Sequence, residues 1–89
     1  MCNHVAMYTL YILQCADATL YTGITTNLTR RVEEHNTSPK GAAYTRGRRP
    51  VTVVYKQAYA NRSLAQKREA EIKKLSKKEK LALIAAQAV

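Results

Sequence analysis

Residues 8–15 read YTLYILQC and residues 19–24 read TLYTGI. Both stretches are rich in β-branched and aromatic residues, which favours β-strands. The first stretch alternates between two apolar faces, one with Leu10 and Ile12 and the other with Tyr11, Leu13 and Cys15. We therefore expect a strand that is covered on both sides. The three residues between the two stretches suffice for a short turn, so the sequence predicts an antiparallel hairpin.

A short helix is predicted directly after the hairpin. Thr25, Thr26 and Asn27 are N-cap candidates in front of LTRRVEEH, residues 28–35. Within this segment the residues at i, i+3, i+4 and i+7, the spacing of one helix face, are Leu28, Arg31, Val32 and His35. The inward stripe of the helix therefore carries two polar side chains.

The remainder of the chain predicts a loop, a third strand and two more helices. Residues 36–50 contain both prolines, two of the three glycines and several basic residues, which indicates an irregular, solvent-facing loop, with a turn of helix near residues 42–45. Residues 51–59, VTVVYKQAY, have strand character. Two S-x-x-E/Q capping boxes, Ser63 with Gln66 and Ser76 with Glu79, predict helices that begin near Leu64 and Lys77, the second ending around Ala85. The predicted order is β-β-α-loop-β-α-α.

Length and composition indicate one small folded domain. The chain has 89 residues, of which 46% are hydrophobic and 24% charged, so it is neither disordered nor of low complexity. We expect a domain at residues 7–86, preceded by a loose extension at residues 1–6. No apolar run approaches the roughly 18 residues of a membrane span, and the N-terminus lacks the pattern of a signal peptide. We therefore expect a cytoplasmic protein with no membrane partner, in which Cys2 and Cys15 are reduced thiols.

Basic residues are concentrated in two segments of the chain. The formal net charge is +9, yet residues 1–29 contain neither lysine nor arginine. Residues 30–49 carry six bases and two acids, and residues 62–80 carry eight bases and three acids. Such a field attracts polyanions, of which nucleic acid is the first candidate and anionic lipid the second. The alternative is a basic surface that serves solubility alone.

Two ionic side chains fall on stripes that should be apolar. Glu69 shares the predicted core stripe of its helix with Ala65 and Ile72, whereas Glu71 points elsewhere. An inward carboxylate is costly unless a metal or a cation pairs with it. Arg31 is directed inward in the same way, so the alternative is a structural ion pair between Glu69 and Arg31.

The aromatic residues repeat this theme, because all six are tyrosines. Tyr11 and Tyr21 lie in adjacent predicted strands, which can place both phenols on one face of the sheet. Gly23, close to them, either ends the second strand or lets another group approach the backbone. A phenol near a metal or a cation can act as a general base. The alternative is amphipathic packing, the usual role of a tyrosine in a strand.

Taken together, these segments resemble the GIY-YIG nuclease superfamily, and its small stand-alone members in particular. Thr9-Leu10-Tyr11 stands at the GIY place and Tyr21-Thr22-Gly23 at the YIG place. LTRRVEEHN resembles the helix that follows the family's hairpin, and REAEIKKL resembles the helix that bears the family's metal-binding glutamate. The likeness extends from about residue 8 to residue 84.

The resemblance implies an α+β fold, with a small three-stranded antiparallel sheet flanked by helices. It also implies hydrolysis of nucleic-acid phosphodiesters with one divalent ion, Mg²⁺ or Mn²⁺. Residue by residue it assigns to the catalytic site Tyr11, Tyr21, Arg31 and Glu69, the last as the metal ligand. His35 matches a histidine found in many members, and Asn27 matches the asparagine that opens the helix.

These assignments give a consistent chemistry. Glu69 would hold the metal on the scissile phosphate, Tyr11 or Tyr21 would deprotonate a water, and Arg31 would stabilise the charge that develops on phosphorus. Two departures are visible. Thr9-Leu10 replaces Gly-Ile, and Ile24 occupies the place where repair-type members carry a lysine that helps to lower the tyrosine pKa.

Three functions are compatible with the sequence. The first is a structure-selective endonuclease of repair or recombination that acts on DNA more readily than on RNA. The residues expected to contact its nucleic acid are Asn27, Arg30, Lys40, Arg46, Arg48, Arg49 and Lys73. The second is a nucleic-acid-binding module with a relic site, and the third is an adaptor that works with a separate DNA-binding protein.

Overall fold

The structure is a computed structural model that describes residues 7–37 and 49–88, the last of these by its backbone only. Its elements are, in chain order, β1 (Tyr8–Gln14), β2 (Leu20–Thr25), α1 (Leu28–Thr37), β3 (Thr52–Tyr59), α2 (Arg62–Lys73) and α3 (Lys77–Ala88). The predicted order of strands and helices is confirmed over these residues. None of the helices in the two described stretches is long and apolar enough to cross a membrane.

The strands form one antiparallel sheet in the order β2-β1-β3, which confirms the predicted α+β fold. β1 is the central strand, and its side chains on both faces of the sheet are buried, as its sequence predicts. In the hairpin register Tyr11 lies opposite Gly23, and Leu13 lies opposite Tyr21. At the turn, the Asp17 carboxylate accepts a hydrogen bond from the Thr19 backbone N–H at 3.1 Å.

Each face of the sheet has its own core cluster. The first contains Leu10, Ile12, Tyr55 and Ile72, and therefore joins the sheet to α2. The second contains Tyr11, Leu13, Cys15 and Val51, against which α1 packs Leu28 and Val32. The alternating side chains of residues 8–15 therefore pack against α2 on one face of the sheet and against α1 on the other. Cys15 is buried and free, as expected.

Side-chain caps fix where the helices begin. The Asn27 side chain accepts from the Arg30 N–H at 3.1 Å, which identifies the cap of α1 among the three candidates. The capping box before α3 is confirmed, since the N–H of Ser76 donates to Glu79 at 2.9 Å and the N–H of Glu79 donates to Ser76 at 3.2 Å. These bonds hold the pKa of Glu79 below its ordinary value. α3 continues to Ala88, beyond the predicted end at Ala85.

The predicted cap of α2 is wrong. Asn61 caps this helix, because its side chain accepts from the Leu64 N–H at 3.0 Å, and α2 begins at Arg62. Ser63 lies inside the first turn. Asn and Ser are about equally good N-cap residues. Asn61 comes before Ser63 in the chain after β3, so the helix begins there.

Several predictions fall outside the described residues. They concern the loose extension at residues 1–6 with Cys2, the helical turn near residues 42–45, and three basic residues expected to contact nucleic acid, Lys40, Arg46 and Arg48.

Candidate active site

Tyr11 and Tyr21 lie on the same face of the sheet, as predicted. Tyr11 is opposite Gly23, two residues along β2 from Tyr21, so the two tyrosines are diagonal neighbours. Tyr11 is buried, with 1% of its surface exposed, whereas Tyr21 is partly exposed. Only Tyr21 of the pair therefore presents part of its ring to solvent.

The absence of a side chain at Gly23 leaves room for the ring of Tyr11. A Cβ atom at this position would lie 2.6 Å from Oη and 2.8 Å from Cζ of Tyr11. No side chain fits in that space, so the tyrosine lies directly over the backbone of β2. Of the two readings of Gly23, close approach is the correct one, because β2 continues past it to Thr25.

His35 joins the two tyrosines from the last turn of α1. It is fully buried, its Nε2 lies 3.1 Å from Oη of Tyr11, and its ring meets Tyr11 and Tyr21 edge-on at centroid distances of 6.0 and 5.2 Å. Burial, with the charges of Arg31 and Arg49, lowers the pKa of His35. The imidazole is therefore neutral at neutral pH, and its Nε2 can accept a hydrogen bond from the Tyr11 hydroxyl.

Arg31 lies between Tyr11 and Glu34. Its guanidinium lies near the Tyr11 hydroxyl and donates to Oε1 of Glu34 at 2.9 Å. Burial raises the pKa of Tyr11, as do the charges of Tyr21 and Glu69, while the proximity of Arg31 acts in the opposite direction. Because the pKa is raised overall, Tyr11 is a neutral phenol, and its hydroxyl can donate a hydrogen bond to the neutral ring of His35.

Glu69 approaches this group from α2. Ala65 and Ile72 on the same stripe are fully buried, and the Glu69 side chain is 21% exposed, so the predicted inward direction is confirmed. Its negative charge raises the pKa of Tyr11, although α2 supplies Ile72 to the core on the opposite face of the sheet. β2 is an edge strand and contacts α2 extensively, which lets a side chain of α2 act across that edge.

The alternative ion pair between Glu69 and Arg31 is not formed. Glu69 is paired with Lys73, at 3.2 Å between Oε2 and Nζ, and Arg31 is paired with Glu34. Glu71 is exposed and pairs with Arg68, also at 3.2 Å, as its outward direction predicts. Within residues 7–37 and 49–88 there is no cluster of three or more His, Cys, Asp or Glu side chains suited to a metal.

Of the described residues that were expected to contact nucleic acid, some are exposed and others make contacts within the protein. Asn27 caps α1, and Arg30 is exposed with its Nε 3.9 Å from Glu34. Arg49 is partly buried, and its Nε donates to the backbone carbonyl of His35. Lys73 is the partner of Glu69. Arg30 and Lys73 thus remain on the surface, whereas Asn27 and Arg49 make contacts that order α1.

Sequence reasoning missed the role of Asn36. Its side-chain oxygen accepts from the Val51 N–H at 2.7 Å, and its amide donates to the Val51 carbonyl at 3.2 Å. These two hydrogen bonds connect the end of α1 to Val51, the residue before β3. Asn36 makes them one position after His35. The only signal in the sequence was an amide next to the inward stripe.

The comparisons with known proteins agree with this geometry. Residues 7–82 match the family model described as the GIY-YIG catalytic domain. The chain therefore belongs to the GIY-YIG family, a family of nuclease domains that act on nucleic acid.

Its relatives include small single-domain proteins. It is 60% identical over 77 residues to a UPF0213 protein of Desulfotalea psychrophila, covering 86% of this chain and 70% of the relative. The solution NMR structure of a UPF0213 protein from Bacillus halodurans is similar, with 41% identity and a TM-score of 0.59 over 90% of this chain and 84% of that one. The NMR structure of a protein from E. faecalis has 36% identity and a TM-score of 0.62, over 93% and 88% of the two chains.

We expect Gly23→Ala to lower the free energy of unfolding by about 1–3 kcal/mol, the usual cost of overpacking a core. The new Cβ would overlap Tyr11, which is held by His35 and cannot move aside freely. Denaturant unfolding measures the effect. In Gly23→Ala/Tyr11→Phe the nearest clashing atom is gone, so the loss should be smaller than the sum of the two single losses. A Gly23→Ala protein as stable as wild type would contradict this packing.

His35 should make stability fall as the pH is lowered below about 6.5. Its pKa is lower in the folded protein than in the unfolded chain, so the unfolded chain binds more protons in that interval. The stability is complete above the unfolded pKa and is lost as the pH falls through the folded pKa. Urea midpoints between pH 7.5 and 5.5 measure this slope. His35→Gln should flatten it, and His4→Gln, at the chain's other histidine, should not; equal slopes in all three proteins would refute the assignment.

Proposed function

We propose that this protein is a metal-dependent endonuclease that hydrolyses phosphodiester bonds of nucleic acid. We further propose that it acts in the cytoplasm on DNA rather than RNA, in repair or recombination, and recognises the structure of its substrate. One observation carries the proposal: Tyr11, Tyr21, Arg31 and His35 meet on one face of the sheet, and the charge of Glu69 acts on Tyr11.

The donor set at Glu69 suits a weakly held Mg²⁺ or Mn²⁺. Mg²⁺ is commonly bound through one or two carboxylates, with water and substrate phosphate completing its shell. Glu69 is a single, partly exposed carboxylate, and we assign it as the protein's ligand. A divalent ion there would supply Lewis-acid stabilisation of the phosphate and the leaving oxygen.

Arg31 is suited to stabilise negative charge on the reacting phosphate. Its guanidinium is only partly buried, is paired with Glu34 and lies near Tyr11, so its orientation is restricted before substrate binds. A preorganised cation at the developing charge is the main electrostatic contribution of such sites. Glu34 neutralises part of this charge, and its contact with Arg31 positions the guanidinium.

We assign Tyr21 as the general base and Tyr11 as its positioning residue. A base must contact the water that it deprotonates. Tyr21 is partly exposed, whereas Tyr11 is buried, its hydroxyl is hydrogen-bonded to His35, and burial raises its pKa. Tyr11 would act by holding His35 and Arg31 in place around Tyr21.

The basic surface supports recognition of phosphates rather than of base sequence. The exposed basic residues on α2, on its connection to α3 and in the first turn of α3 are Arg62, Lys67, Lys73, Lys74, Lys77 and Lys78, and Arg30 adds to them from α1. Lysine and arginine contacts to the backbone position a nucleic acid without reading its bases. Binding should therefore weaken steeply as salt is added.

Glu69→Gln should reduce cleavage at least about 100-fold, because it removes the charge that would hold the metal, and should leave binding largely intact. The assay uses labelled single-stranded, flapped and branched DNA, and RNA, with Mg²⁺, Mn²⁺ or EDTA. Glu71→Gln is the matched control, since it removes an exposed carboxylate from the same helix. Equal cleavage by wild type and Glu69→Gln would refute the proposal.

The two tyrosines should differ in the same assay. Tyr21→Phe should abolish measurable cleavage, because the base is lost. Tyr11→Phe should lower both cleavage and stability, since a buried hydrogen bond is lost with the hydroxyl. The reverse order of cleavage losses, measured on matched amounts of folded protein, would make Tyr11 the base.

A second candidate function is a nucleic-acid-binding module whose site no longer cleaves. It is favoured by Ile24, which packs against the α2-side core at the place of the repair-type lysine. This candidate predicts salt-sensitive binding of every substrate and cutting of none, with or without metal. Cutting that appears only after a DNA-binding protein is added would instead indicate a catalyst that works with a partner.

A further inference from the structure

The ion pair between Glu69 and Lys73 occupies the carboxylate that we assign to the metal. The two side chains lie one helical turn apart, with 3.2 Å between Nζ and Oε2. The Glu69 side chain is 21% exposed and that of Lys73 is 55% exposed, so the carboxylate lies deeper than its partner. The pair therefore links an inward acid to a lysine at the surface.

Position distinguishes this pair from an ordinary surface pair on a helix. The pair between Arg68 and Glu71, on the same helix, joins side chains that are 34% and 53% exposed. Glu69, in contrast, stands between two fully buried residues of its stripe, and its charge acts on Tyr11. The ammonium of Lys73 offsets that charge in the metal-free protein.

We propose that Lys73 is a positioning residue that holds the Glu69 carboxylate until a divalent ion displaces it, and then binds a phosphate of the substrate. This inference rests on the proposed function. The ammonium lies 3.2 Å from Oε2 of Glu69, so its positive charge repels a divalent ion at the same carboxylate and favours displacement of one by the other. Lys73 has a long flexible stem and is more than half exposed, so its released ammonium can reach a nearby phosphate.

The consequence is a coupling between metal and substrate. In the free protein the ion pair weakens metal binding by the strength of a partly exposed pair, about two- to fivefold in affinity. When the ion is bound, Lys73 becomes an additional phosphate contact next to the site. The metal then strengthens substrate binding through Lys73, and substrate strengthens metal binding to the same extent.

The test is a Mn²⁺ titration in which free Mn²⁺ is followed by electron paramagnetic resonance. Four proteins are compared, namely wild type, Lys73→Gln, Lys67→Gln and Glu69→Gln. Lys67→Gln removes the same charge from the same helix, at an exposed position two residues before Glu69 and about 200° around the helix axis from it. Broadening of the amide NMR signals around residue 69 identifies the site that Mn²⁺ occupies.

We expect Lys73→Gln to bind Mn²⁺ about two- to fivefold more tightly than wild type, Lys67→Gln to match wild type, and Lys73→Arg to restore the wild-type affinity. Mn²⁺ should also raise the affinity of wild type for a phosphorothioate-protected DNA strand more than it raises that of Lys73→Gln. Thermal melts of the metal-free proteins separate these effects from any loss of helix stability.

Two failures can be told apart. If Mn²⁺ binding is lost in Glu69→Gln but is equal in Lys73→Gln and Lys67→Gln, the role of Lys73 is overturned while the metal site stands. If Glu69→Gln binds Mn²⁺ as wild type does, or wild type binds none at this site, the proposed metal ligand is wrong, and the inference falls with it.

Discussion

The hydrogen bond between Tyr11 and His35 is the contact on which the arrangement of the site depends. Both groups are buried, and a buried polar atom without a partner is costly, so each fixes the other. This hydrogen bond requires a glycine at position 23, which leaves room for the Tyr11 ring, and a neutral imidazole that can accept the hydrogen bond. It thereby joins the central strand to the last turn of α1.

The same bond explains why the end of α1 is secured so thoroughly. Arg49 donates to the carbonyl of His35, and Asn36 makes two hydrogen bonds to the backbone of Val51. A shift of α1 along its axis would separate His35 from Tyr11 and would also move Arg31, one turn earlier. The contacts of Arg49 and Asn36 therefore also help to position the guanidinium of Arg31.

The sequence was sufficient for the strands and the inward polar residues, because those follow from periodicity, whereas the three-stranded sheet was predicted from the resemblance to a known family. The alternation in β1 and the i, i+3, i+4, i+7 stripe of α1 each placed residues correctly on a face. It was insufficient for pairing, since the choice among partners depends on distances in three dimensions. For Glu69 the sequence offered a metal or a distant cation, and the structure has Lys73, one turn away. For α2 the capping-box pattern pointed to Ser63, whereas the structure has Asn61 as the cap.

The site combines a rigid half with an adaptable half. Tyr11, Gly23 and His35 are locked in the core between the sheet and α1, so their chemistry cannot be altered without a cost in folding. Glu69 and Lys73 belong to the helix on the other side of the sheet, and they are partly exposed at the edge strand. The divalent ion that we propose at Glu69 would be held weakly there, so it would enter and leave while Tyr11 stays fixed. This division follows from strand order, because only an edge strand lets helices from both faces meet at one place.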